Sequence, residues 1–194
     1  MGGDVAVLIP VKAFHRAKAR LSGTLDPPTR ETLARHMAET VVRAASPLPV
    51  AVVCDDETVS EWAGAQGATV LWRPGHGLNG AVRSGVDGLA AAGYRRVVVA
   101  HSDLPLAVDL QWVARFDGVT LVPDRRDDGT NVLSVPTDAI FEFGYGGGSF
   151  RHHAREALGR RMALRVVREP LLGWDVDTAD DLAPFPDLVA ATCT

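Results

Sequence analysis

Short apolar, β-branched runs alternate along this chain with stretches whose apolar positions recur every three or four residues. The first run covers residues 5–11. A polar loop separates it from Asp26-Pro27-Pro28-Thr29, which opens a helix with Leu33, Met37, Val41 and Val42 on one face. A second strand is predicted over 50–54, a short helix from about Glu57, a third strand at 69–71, and a Gly-rich turn leading into a helix over about 79–92. Residues 96–100, mostly valine, form the clearest strand. The pattern continues with a helix near Leu110, strands at 119–122 and 132–135, a helix after Ser149, a strand at 164–167 and a terminal segment carrying Asp175-Val176-Asp177.

Strands that alternate with helices predict an α/β three-layer sandwich, its sheet mixed but mainly parallel and covered on both faces. No repeat, low-complexity tract or long linker interrupts the pattern, so residues 1–194 are expected to form one domain. In open sheets of this kind ligands collect beyond the carboxyl ends of the strands. The valine-rich strand ends there in His101-Ser102-Asp103-Leu104-Pro105, which places the expected site at Asp103.

Composition narrows the partners. With 46% hydrophobic and 23% charged residues and a formal net charge of -4, the chain has the make-up of a globular domain and lacks the basic excess of a general nucleic-acid binder. The local exception is 151–168, where six arginines join His152 and His153; this is either a solvated face or an anion site. Of two cysteines, Cys54 ends an apolar run and Cys193 lies near the C-terminus, a pattern that favours a buried thiol in a reducing compartment over a disulfide. Gly2 is followed by Ala6 where a myristoylation signal wants a hydroxyl, and neither a signal-type opening nor a membrane-length apolar stretch is present. A soluble, cytoplasmic protein is expected, and the apolar segment 182–189 offers a surface for a homodimer.

The basic residues comprise 18 arginines and only two lysines, and both lysines, Lys12 and Lys18, fall in the loop after the first strand with Arg20 beside them. A lysine carries a compact, mobile ammonium that can follow charge moving from an α-phosphate to departing pyrophosphate, whereas arginine is a rigid fork. Asp103, Asp175 and Asp177 are hard oxygen donors suited to magnesium, which borrows the rest of its shell from water and substrate phosphates. Asp177 ahead of Thr178, Ala179 and Asp180 also reads as a helix N-cap. Gly129-Thr130-Asn131 enters a strand with hydroxyl, amide and backbone N–H groups that could meet a phosphate or carboxylate. Phe143-Gly144-Tyr145-Gly146-Gly147-Gly148-Ser149 brings glycines to a helix start, where free N–H groups attract anions. Gly75-His76-Gly77-Leu78-Asn79-Gly80 is placed to touch a base or ribose through Gly77 and Asn79. The bland alternatives are a solvated lysine loop, an ordinary turn at Gly129, and plain caps at Asn79 and Ser149.

Ile9-Pro10-Val11-Lys12 and Ala17-Lys18-Ala19-Arg20-Leu21 resemble the first loop of the 2-phospho-L-lactate and phosphoenolpyruvate guanylyltransferases. The segments at His101, Gly129, Phe143 and Asp175 are similar to later motifs of that family, in the same order. The resemblance implies a nucleotide-diphosphosugar-transferase-like fold and a role in making coenzyme F-420. It further implies GTP and a small phosphorylated carboxylic acid as substrates and Mg2+ as cofactor. By the same resemblance Asp103, Asp175 and Asp177 would hold magnesium, Lys12, Thr130, Gly144 and Ser149 would engage the acid, and Lys18 and Arg20 would face the triphosphate. Lys12, Lys18 and Asp103 would act as catalytic residues. Ala19 stands where the family usually has Thr, and the run Tyr145-Gly146-Gly147-Gly148 is about two residues longer than the usual loop.

The implied chemistry is in-line attack by the acid's phosphate on the α-phosphorus of GTP. Rival readings are a same-fold transferase acting on 3-phosphoglycerate or molybdopterin, a non-catalytic nucleotide-binding module, and an aspartyl-phosphate phosphatase. Asp175-Val176-Asp177-Thr178 has the phosphatase pattern, but that nucleophile follows an early strand with a large domain after it, whereas here the motif stands close to the C-terminus.

Overall fold

Side-chain direction alternates along every strand, and in the computed structural model, which describes residues 4–186 and 188, that alternation divides the core in two. Val7 and Ile9 of β1 (Val5–Pro10), Val52 and Cys54 of β2 (Val50–Cys54), and Val98 and Ala100 of β4 (Arg96–Ala100) face one layer. Ala6 and Leu8, Ala51 and Val53, and Val97 and Val99 face the other. Both sets are buried, which is why these strands read as continuous apolar runs.

The first layer is built from α1 (Pro27–Ala44), α2 (Glu57–Ala65) and a 3-10 turn at Gln111–Arg115, the second from α3 (Gly77–Ala91) and α4 (Ser149–Gly159). Asp26 caps α1 by accepting from Thr29 N at 2.8 Å, and Asp56 caps α2 by accepting from Val59 N at 3.1 Å. Helix α3 runs close over β1, because a Cβ on Gly85 would lie 2.7 Å from a Leu8 methyl.

With β3 (Thr69–Trp72), β5 (Val119–Pro123), β6 (Thr130–Pro136) and β7 (Leu164–Val166), the sheet has seven strands in the order β3-β2-β1-β4-β6-β5-β7. The strands pair in parallel except for β6, which runs antiparallel to both β4 and β5. The expected mixed, mainly parallel sheet is therefore present. The reversal carries the start of β6, at Thr130 and Asn131, to the edge where β1, β2 and β4 end. His101 N donates to Asn131 O there at 3.0 Å.

A third apolar cluster joins Leu33 and Met37 of α1 and Leu21 to Val176 and to Leu182 of the short α5 (Ala179–Leu182). Leu182 is thus buried inside the chain, contrary to its expected place on a homodimer surface, while Val189, at the end of that segment, lies outside the described residues, as do Gly2 and Cys193. Cys54 is a buried free thiol, and burial pushes its pKa up. The arginines of 151–168 are exposed, the solvated-face alternative, but His153 turns inward and is fully buried. No helix among the described residues is long and apolar enough to cross a membrane.

Candidate active site

The loop after β1 folds into two 3-10 turns, Phe14–Arg16 and Ala19–Leu21. Between them Lys18 adopts a left-handed backbone (φ 54°, ψ 38°), a conformation costly for a residue with a side chain and kept where the surroundings hold it. Its ammonium is thereby carried across the cleft. It donates to Asp103 Oδ2 at 2.7 Å, to the Val176 carbonyl, and to Asp177 Oδ1 at 3.5 Å. Arg20, largely exposed, reaches Asp177 Oδ2 at 3.2 Å. The two carboxylate segments are also stitched directly, because Val176 N donates to Asp103 O at 3.2 Å. Strand end, opening loop and closing segment thus meet at one point.

Burial alone would discharge this cluster, yet the charges hold one another. Desolvation opposes the Lys18 cation, but Asp103 and Asp177 outweigh it and keep its pKa above the ordinary value. Desolvation likewise opposes ionisation of Asp103, but Lys18 and His101 keep its carboxyl below the usual range. Asp175 has no such cation: burial, then the neighbouring Asp103 carboxylate, push its pKa up.

Asp103 Oδ1 and Asp175 Oδ1 are buried without a hydrogen-bond partner among the described residues. An unpaired buried acceptor costs about 1–3 kcal/mol, so two on hard carboxylate oxygens suit a divalent cation. Among the described residues, no three of His, Cys, Asp and Glu converge closely enough to enclose an ion by themselves. The expected set of Asp103, Asp175 and Asp177 lines one cleft without closing around an ion in this arrangement. Asp177, its third member, spends both oxygens on Lys18 and Arg20.

Asp177 is not the helix cap either. Thr178 caps α5, and Asp181 completes a capping box with it. Asp181 is fully buried and accepts from Asp177 N at 2.8 Å, Thr178 N at 2.7 Å, Thr178 Oγ1 at 3.0 Å and Arg126 Nη2 at 2.8 Å, as well as from Arg125. Burial works against its charge, but these donors hold its pKa far below the usual carboxylate value. Arg125 also donates to Asp175 O at 3.3 Å and lies 4.2 Å over the Trp174 ring. Asp181 therefore shapes the turn that presents Asp175 and Asp177. In the sequence it looks like one more acid in a helix's first turn, and only its buried position separates it from Asp180.

Across the cleft, Asp124 closes the turn before β6 by accepting from Arg126 N at 2.9 Å, Asp128 N at 2.9 Å and Gly129 N at 2.8 Å. Thr130 and Ser149, both buried, are joined by a 2.9 Å bond from Thr130 N to Ser149 Oγ. Three of the expected free N–H groups at the start of α4 are occupied: Ser149 N donates to Gly146 O at 3.1 Å, Phe150 N to Asp128 O at 3.0 Å and Gly148 N to Asp128 Oδ1 at 3.2 Å. What Ser149 offers is its hydroxyl.

These walls enclose a cleft of ≈ 790 Å³, the size range of small-molecule sites. Lys12, Lys18, Arg20, Gly77, Asp103, Thr130, Ser149, Asp175 and Asp177 all line it, with Lys12 exposed on its wall. Two expected residues do not line it. Gly144 donates its N–H to His153 Nε2 at 3.0 Å and packs so tightly on His152 that a Cβ would lie 2.4 Å from that ring; the glycines of this loop that line the cleft are Gly146 and Gly147. Asn79 clamps the Tyr145 backbone, accepting from its N–H at 2.7 Å. Arg16, Arg73 and His101 line the cleft without having been singled out in the sequence; a scattered arginine among 18 gives no signal.

Residues 5–185 match the family described as "Guanylyl transferase CofC like". The phosphoenolpyruvate guanylyltransferase of Sphaerobacter thermophilus is 36% identical over 90% of this chain and 89% of its own length. The 2-phospho-L-lactate guanylyltransferase of Methanothermobacter thermautotrophicus is 35% identical, over 90% and 81% respectively. A solved structure from Desulfovibrio desulfuricans, assigned to the nucleotide-diphospho-sugar transferases, superposes with a TM-score of 0.74 at 16% identity, covering 93% of this chain and 85% of its own. The chain shares that fold.

Proposed function

The chain belongs to the family of CofC-like guanylyl transferases, and from that premise we propose that it transfers GMP from GTP to the phosphate of phosphoenolpyruvate in coenzyme F-420 biosynthesis. The acceptor follows the name of the Sphaerobacter relative, with 2-phospho-L-lactate as the alternative that the Methanothermobacter relative represents. The observation that carries the reading is the meeting of Lys18, from the opening loop, with Asp103 and Asp177, from two distant segments, beside unpartnered oxygens of Asp103 and Asp175.

In the reaction an oxygen of the acid's phosphate forms a bond to the α-phosphorus. The bond from that phosphorus to the bridging oxygen breaks, and its electron pair leaves with pyrophosphate. A phosphate dianion is already nucleophilic at neutral pH, so no general base is required. The protein's task is to align two anions and offset their charge. Lys18 and Arg20, with Arg16 and Arg73 also lining the cleft, supply cations to the triphosphate, Lys12 serves the acid, and Gly77 at the start of α3 gives close approach to base or ribose. Asp103 and Asp175 would hold a magnesium ion, whose chemistry is to neutralise phosphate charge. Thr130, Ser149, Gly146 and Gly147 form the acid's half of the cleft.

Pyrophosphate release should be measured with GTP, magnesium and, in turn, phosphoenolpyruvate, 2-phospho-L-lactate and 3-phosphoglycerate. The fastest release is expected with phosphoenolpyruvate. Faster release with either other acid overturns the acceptor assignment. GTP binding without release for any acid marks a binding module, and phosphate liberated without GTP marks a phosphatase.

A further inference from the structure

His153 lies behind Thr130, with no exposed surface, among the rings of Phe141 at 5.8 Å and Tyr145 at 4.8 Å. Both ring nitrogens are engaged. Gly144 N–H points at Nε2 at 3.0 Å, and Nδ1 lies 2.9 Å from Thr130 Oγ1. A backbone amide can only donate, so Nε2 must present a lone pair. The ring then carries its hydrogen on Nδ1, and that hydrogen is donated to Thr130 Oγ1.

The direction of this chain of bonds fixes the hydroxyl. Thr130 Oγ1 accepts from His153, and its own hydrogen has no acceptor among the described residues. Ser149 is in the same condition: its Oγ accepts from Thr130 N at 2.9 Å, leaving its hydrogen free. Both residues line the cleft. Two adjacent hydroxyls, each with one lone pair engaged by the protein and its hydrogen uncommitted, are set to donate toward a ligand.

We infer that His153 is a positioning residue for acceptor recognition: through the Gly144–His153–Thr130 relay it orients the Thr130 hydroxyl to donate to the anionic acid, paired with the Ser149 hydroxyl. The inference rests on the acid-binding reading of this half of the cleft. It explains why a histidine, rather than an apolar residue, is buried behind Thr130. It also explains why the Gly144 amide faces inward, away from substrate. Burial keeps the ring neutral, its pKa pushed down to about 3, so the relay persists at working pH. The relay selects for an acceptor-rich group, a carboxylate or phosphate, and against a neutral donor at the same place.

Two measurements test it. Long-range proton–nitrogen NMR of the free protein should show the His153 ring protonated at Nδ1 with a bare Nε2; the opposite tautomer overturns the relay whatever the activity. In pyrophosphate-release kinetics, Thr130→Val and His153→Phe should each raise KM for the acid roughly tenfold or more, the scale of a hydrogen bond to a charged group. KM for GTP should change less than about twofold. In the Thr130→Val background, His153→Phe should add less than about twofold, because the hydroxyl it orients is gone. An equal penalty in both backgrounds, or a fall confined to kcat, overturns the positioning role and reduces His153 to packing. Should His153→Phe fail to fold, the NMR tautomer and a Thr130→Ser variant decide: serine keeps the hydroxyl and should restore KM to within about threefold, and failure to restore it overturns the inference. If the unaltered protein releases no pyrophosphate with any acid, the functional reading falls first and the acceptor role with it, while the tautomer result still reports on the relay.

Discussion

Acidification from pH 7 to pH 5 should cost this protein about 2 kcal/mol through His153 alone. The ordinary histidine pKa is 6.5, and burial, with added repulsion from His152 and His101 and a smaller opposing pull from Glu156, lowers that of His153 to about 3. The sign follows from proton counting. Between those values the unfolded chain binds a proton that the folded chain refuses, so stability is full above pH 6.5 and falls as pH drops toward 3. The slope is about 1.4 kcal/mol per pH unit for one such group, and 1.5 units of it lie above pH 5. Other groups also titrate, so the measurement is a difference: urea unfolding of the parent protein and of His153→Phe at pH 7, 6 and 5. The variant starts from its own stability, but its loss over that interval should be smaller by about 2 kcal/mol. If the two proteins lose stability in parallel, the ring accepts a proton inside the fold without penalty and the reasoning is wrong.

Asp103→Asn should reduce transfer to background while the unfolding midpoint stays within a few degrees, and near-normal turnover would remove Asp103 from the reacting centre. Asp181→Asn places an amide donor among five donors and should destabilise by about 3–5 kcal/mol in urea titration, the usual cost of breaking a buried charged pair; a loss under about 1 kcal/mol would show that the Asp181 bonds contribute little. Gly85→Ala should cost about 1–2 kcal/mol by crowding Leu8, with part recovered by Leu8→Val in the same chain; an unchanged midpoint would mean that α3 shifts freely over β1.

The sequence carried the layered fold because strands buried on both faces must be continuously apolar, and those at 50–54 and 96–100 coincide with β2 and β4. It could not carry the reversed direction of β6, since an apolar run has no polarity. Clustering of both lysines and the position of Asp103 at a strand end were legible for a like reason: each stands out against its surroundings. Gly144 and Asn79 were misplaced because a glycine in a loop reports backbone freedom, not which way an amide points, and an asparagine beside a turn reads the same whether it faces ligand or main chain. The Asp181 hub and the His153 relay are completed by contacts between residues 23 to 56 positions apart, beyond any local pattern.

Because β6 descends where its neighbours climb, the proposed reading serves the two substrates from opposite ends of peptide direction: the nucleotide by chains leaving the sheet, the acid chiefly by a chain entering it. On that reading acceptor choice rests with the Asp124–Gly129 hairpin and the glycine loop it touches. Variation there could retune which acid is taken while the guanylyl half is inherited unchanged.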